Sequence, residues 1–161
     1  MKILQSTYVV KPIKEQRESS NVLLNTPIGD GLKLGEFIVE VDVKESPQIR
    51  KSPSEKFSYE VWVYTNDEGE LPHLHVVGKQ KLLDCCVRLD IAEYFIHGNH
   101  CDMFNKQQRD AFVKFIRSSP TSVRVKAETR WDLAVFFWNE NTSRTSIPDD
   151  VVMPDYSQLL T

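Results

Sequence analysis

The sequence predicts an α+β domain in which an antiparallel β-meander carries two or three helices packed on one face. Three observations predict it. Period-two alternation of apolar and polar residues recurs between residues 36 and 90. The segments joining these stretches are too short for crossover helices, so the strands pair antiparallel. Two segments with helical periodicity and capping signals follow, from Asn105 and from Thr129.

Residues 3–11 are rich in β-formers (Ile3, Thr7, Tyr8, Val9, Val10) and read as a first strand. Residues 12–34 carry Pro12, Pro27, Gly29 and Gly31 among polar residues and read as loop. Glu36 to Lys44 alternates, with Phe37, Val39, Val41 and Val43 on one face and mostly charge on the other. Residues 45–56, with Pro47 and Pro53, read as a loop excursion. Phe57, Tyr59, Val61 and Val63 define the next strand, and Asn66-Asp67-Glu68-Gly69-Glu70 is turn chemistry. His73 to Val77 returns, completing a hairpin over 57–77. This spacing puts His73 and His75 on one face and Leu74 opposite, in the core. Lys81 to Asp90 is a further strand, with Leu83, Cys85, Val87 and Leu89 inward.

The first helix starts at Asn105 with Gln108 three residues on, a capping box, and Pro120 stops it. Its apolar face is Ala111, Phe112, Phe115 and Ile116. The second starts at Thr129 with Asp132 three residues on and ends at Asn139-Glu140-Asn141. Residues 142–161 read as a polar tail with a last turn at Tyr156 to Leu160. The expected core joins Trp131, Trp138, Phe112, Phe115 and Ile116 to Val61, Val63, Val87 and Leu89. The 161 residues make one domain, 1–161, with N-terminal strands and loops over 1–56 and the hairpin, strand and helices over 57–141.

Composition excludes several function classes. Twenty basic and 23 acidic residues give net −3, so no global field draws the chain to nucleic acid or anionic lipid. No apolar run approaches the ~18 residues of a membrane span, and the start turns polar before a signal sequence could form. Cys85, Cys86 and Cys101 are odd in number, and adjacent strand residues point to opposite faces, so Cys85–Cys86 would be a strained bridge. Three thiols without a framework fit a cytoplasmic protein.

Chemistry concentrates in Leu71-Pro72-His73-Leu74-His75-Val76-Val77. Two imidazoles on one face of a strand can act as a catalytic pair, sharing a Zn²⁺ or a substrate phosphate. The plainer alternative is a pair of surface histidines packed on aromatics. A metal needs a further ligand, and the candidates His97, His100, Cys101 and Asp102 lie in a turn-rich segment that no regular structure places near the hairpin. No metal and no cofactor are therefore expected. The His-φ-His-φ-His pattern of histidine-triad hydrolases is broken at Val77, and the Glu and His that a cupin needs after the pair are missing.

Lys106, Arg109, Lys114 and Arg117 lie on the first helix, followed by Arg124 and Lys126. They offer a partner or nucleic-acid surface, with a solvated helix face as the simpler reading. Trp131 and Trp138, seven apart, with Phe136 and Phe137 between them, widen the apolar stripe of the second helix almost all round. Core packing explains this best, with a dimer or partner contact as the alternative. There is no Gly-rich phosphate loop, no Gly-x-Ser-x-Gly elbow and no Cys-x-x-Cys pair.

The stretch from Val63 to Val76, an aromatic strand, an acidic Gly turn and then Pro72-His73-x-His75-Val76, resembles a small bacterial and phage family of unknown function. The similarity covers roughly 57–141, ends in Trp138-Asn139, and departs from the family at 97–104. It implies association with a second small protein in a toxin–antitoxin-like arrangement, and marks Pro72, His73 and His75 as defining positions. The resulting expectation is a partner-binding component of a bacterial or phage accessory system. A protein partner is expected, a second copy included, and no membrane. The alternative is a small metal- or phosphate-handling hydrolase or nuclease built on His73 and His75.

Overall fold

A computed structural model describes residues 23–26, 29–42, 54–64, 70–80, 83–120, 126–142 and 144–161. The strand expected at 3–11, the turn at 66–69, residues 45–53 of the expected loop, and Arg124 lie outside these residues, while residues 54–56 of that loop belong to a strand. The elements are β1 (Leu23–Thr26), β2 (Gly29–Asp42), β3 (Ser54–Tyr64), β4 (His73–Gly78), β5 (Asp84–Arg88), α1 (Lys106–Arg117), α2 (Arg130–Asn141) and a 3₁₀ turn (Tyr156–Gln158). The strands form one antiparallel sheet in chain order, β1-β2-β3-β4-β5. The fold is α+β with an antiparallel meander, as the alternation predicts.

Two segments differ from the sequence reading. The Gly- and Pro-bearing stretch before residue 34 contains β1 and the start of β2, paired Leu23 to Leu32 and Thr26 to Gly29. Ladder pairing here overrides the loop propensity of Gly29, Asp30 and Gly31. The polar tail is part of the core, since Ile147, Tyr156 and Leu159 are buried in the same cluster as the helices. Asn139 exchanges two bonds with Ile147, and the Tyr156 hydroxyl donates to the Arg88 carbonyl at 2.5 Å. Burial pushes the Tyr156 phenol far up, so it remains a donor.

Cross-strand rows define the two faces of the sheet. Val61, Val76 and Cys85 stand opposite one another in one row, and Trp62, His75 and Cys86 in the next. The first row belongs to the core face, where Phe37 stacks on Tyr59 and meets Phe112 and Phe115 of α1 and Gln108 donates to the Tyr59 hydroxyl at 2.9 Å. Both helices begin at the capping boxes read from the sequence, Asn105/Gln108 and Thr129/Asp132.

Helix α2 is buried on every side: Trp131 and each residue from Leu133 to Trp138 are inaccessible. It packs against α1, β2 and β3. Its first residue anchors it: Arg130 Nε donates to the Leu34 carbonyl at 2.9 Å, at a bulge where Lys33 and Gly35 flank an extra residue, and its guanidinium stacks over Phe115. The expected core of tryptophans, phenylalanines and strand valines forms one cluster.

Candidate metal centre

Strand β4 departs from the usual half-wet pattern. His73 and His75 share a face, with Leu74 opposite in the core, as period two requires. Yet the histidine face is also closed: His73 is 0% exposed, His75 5% and the cross-strand neighbour Cys86 1%. The cover comes from the segment after β5. The chain turns at 89–92, where Arg88 and Asp90 form a two-bond ion pair. It then runs back along β5, with Arg88 N–H donating to Glu93, Phe95 N–H donating to Cys86, and Val87 bridging Tyr94. Phe95 stacks on His73 at 4.6 Å between ring centroids, and Trp138 of α2 reaches the same ring at 5.6 Å. Two residues beyond Phe95, His97 arrives at the hairpin.

His73, His75, Cys86 and His97 each offer one donor atom, and these four atoms all lie within 4.8 Å of one another. A tetrahedral zinc ion holds such donors about 3.3–3.6 Å apart, so small side-chain rotations close the set. Neighbouring groups select the donor nitrogens. A carbonyl only accepts, so the 2.7 Å contact from His73 Nδ1 to the Leu71 carbonyl makes Nδ1 the protonated atom and Nε2 the one that carries the lone pair. His97 Nε2 is buried with no hydrogen-bond partner among the described residues. Its Nδ1 lies 4.0 Å from Glu70 Oε1, beyond hydrogen-bond distance. Cys86 Sγ lies 3.4 Å from His75 Nδ1. Cys85, on the core face, is also buried, and desolvation pushes its thiol well up, so it remains a protonated apolar group.

The expectation of no metal rested on the loop staying away from the hairpin, and the structure removes that premise. Of the loop candidates, His97 joins the four-donor set, and His100 stands beside it, bonded to Asp84 at 2.6 Å. Cys101 is exposed, and Asp102 instead fastens the loop to β5 by accepting from Asp84 N–H at 2.8 Å. Cys86 was missed by sequence reasoning. Its signal was a cysteine between Asp84 and Arg88 on the face otherwise polar in β5.

The basic positions of α1 do not make an unopposed stripe. Lys106 and Arg109 both reach Asp110, and Arg117 lies 3.5 Å from Asp155. Arg109 also donates to the Leu159 carbonyl, which makes it a tie to the C-terminal segment. Lys114 lines an open groove of about 510 Å³ between β2 and α1, with Phe37, Val39, Glu40 and Asp110. No described helix is long and apolar enough to cross a membrane. No family model, curated protein or solved structure matches the chain.

Proposed function

We propose that this chain is a metal-binding protein whose His73, His75, Cys86 and His97 hold one first-row transition-metal ion between the β4–β5 ladder and the 93–100 segment. One observation carries the reading: four donors of the types that bind such ions converge within 4.8 Å, three of them on buried residues and the fourth on the half-buried His97. Imidazole and thiolate are the ligand types that first-row divalent ions take, and three imidazoles and a thiol gathered in one place match that preference. Three imidazoles and a thiolate suit a divalent first-row ion such as zinc or iron(II).

The burial of His73 and His75 favours ligand roles over direct contact with a substrate. This shifts the preference from partner binding, which led on sequence, toward the metal-handling alternative. Two of the three positions that carry the resemblance, His73 and His75, belong to the four-donor set. The aromatic residues of α2 are buried in the chain's own core, so α2 is not where a protein partner would dock.

The test is metal analysis of protein purified without chelator and dialysed against metal-free buffer, with thermal unfolding before and after chelation. One ion per chain is expected, with a lower melting temperature once it is removed. Cys86→Ala and His97→Ala should lose both the ion and the difference. Absence of stoichiometric metal, together with no rise in melting temperature when zinc is returned, would overturn the reading.

A further inference from the structure

We infer that His100 is a fifth donor to this centre, and that the occupant is therefore a divalent first-row ion accepting four imidazoles and a thiolate, iron(II) ahead of zinc. The inference rests on the metal-binding reading above and concerns the one histidine outside the four-donor set.

The chain has four histidines, and all of them meet. Their ring centroids form a closed circuit: 5.0 Å from His73 to His75, 5.1 Å from His75 to His100, 5.0 Å from His100 to His97 and 5.1 Å from His97 to His73. An imidazole bound through one nitrogen at metal–ligand distance places its centroid about 3.2 Å from the ion. Four imidazoles around one point then have neighbouring centroids about 4.5 Å apart in a square and about 5.2 Å apart in a tetrahedron. The sides fall between the two values and the distance across from His75 to His97 is 5.6 Å, so the four rings surround one position without forming a regular square or tetrahedron, and Cys86 meets the circuit at His75.

A second observation concerns the nitrogen that His100 has free to offer. Its Nδ1 is engaged by Asp84 Oδ1 at 2.6 Å. A carboxylate accepts, so Nδ1–H donates and Nε2 carries the lone pair, the carboxylate–histidine arrangement of metal-liganding imidazoles. Asp84 stands two residues from Cys86 on the same strand face, so one strand supplies a ligand and the orienting group of another. The supporting backbone is held at both ends. His100 N–H donates to the His97 carbonyl at 3.0 Å, closing a turn through Gly98 at φ +61°, and Asp102 N–H donates to the Asp84 carbonyl at 3.1 Å. His100 Nε2 lies outside the set of atoms within 4.8 Å of one another, so joining the centre requires the His100 ring to move together with its Asp84 partner. Zinc with protein ligands favours four donors, whereas iron(II) accepts both imidazole and thiolate and higher coordination numbers.

The probe is cobalt(II), added anaerobically to the metal-free full chain and followed by absorption. The expected wild-type spectrum has a thiolate-to-cobalt charge-transfer band in the near ultraviolet and the weak visible bands of five-coordinate cobalt. His100→Ala should convert these to the intense bands of four-coordinate cobalt and weaken binding about ten- to hundredfold. Asp84→Asn, which frees the imidazole without removing it, should shift the spectrum in the same direction to a smaller extent. Intense four-coordinate bands in the wild type, or a His100→Ala spectrum identical to the wild type, would overturn the fifth-donor role while leaving the metal centre standing. Absence of charge transfer and of binding in the wild type would overturn both.

Discussion

His75 and Cys86 are direct cross-strand partners in the β4–β5 ladder, and the Sγ of one lies 3.4 Å from Nδ1 of the other. Their separation is set by the sheet rather than by a loop, so two donors stand at working distance before any ion arrives. Cys85 belongs to the opposite face and packs in the core. Cys85→Ala should therefore cost about 1 kcal/mol of stability and leave metal stoichiometry intact. Cys86→Ala should abolish metal binding. Denaturation curves and metal analysis on the two variants separate the roles, and loss of metal in Cys85→Ala would contradict the assignment.

Trp138 is fully buried, donates from its indole nitrogen to the Thr145 carbonyl at 3.0 Å, and touches the His73 ring. Trp138→Ala should cost about 3–5 kcal/mol in urea denaturation. A loss under about 1 kcal/mol would mean that the indole is not part of the core.

Gly35 sits in the β2 bulge at φ +137°, and a Cβ there would come within 3.1 Å of the Phe115 ring, with Arg130 close by. Gly35→Ala meets both an unfavourable backbone conformation and a crowded neighbour. A destabilisation of about 1–3 kcal/mol is expected from the same denaturation measurement.

The two capping boxes satisfy otherwise orphaned N–H groups at the helix starts. Asn105→Ala and Thr129→Ala should each lower stability by about 1 kcal/mol. The double variant should show the sum, since the caps belong to different helices.

The Lys33 ammonium, 2.8 Å from Glu36, holds that carboxyl at about 2 rather than 4.5, with help from Ser58 and Lys79. A carboxyl depressed in the folded state contributes fully above its unfolded value, and the contribution is lost as pH falls from about 4.5 toward about 2. The group is partly solvated, so the effect is under about 1 kcal/mol. Glu36→Gln should therefore differ from the wild type in urea midpoint at neutral pH and converge with it near pH 2. A constant difference across that range would remove Glu36 from the acid response.

Local spacing alone determined much of this protein. Period two placed His73 and His75 on one face with Leu74 opposite, and the three-residue spacings from Asn105 and Thr129 marked both helix starts, because these features depend only on backbone geometry within a few residues. The all-round aromatic character of 131–138 likewise announced a helix buried on more than one side. Tertiary structure decided the rest. Whether the histidine face was wet or closed depended on 93–95 folding back onto β5, through the Val87–Tyr94 bridge and the bonds beside it. That contact brought His97 and His100 to Cys86 and turned a bare pair into a centre. Residues 142–161 similarly became core only through Ile147, Tyr156 and Leu159 meeting the helices. Alternation tells which way a side chain points, but what it meets there is fixed by long-range pairing, whose loop-closure cost is repaid only when the whole sheet and its cover assemble together.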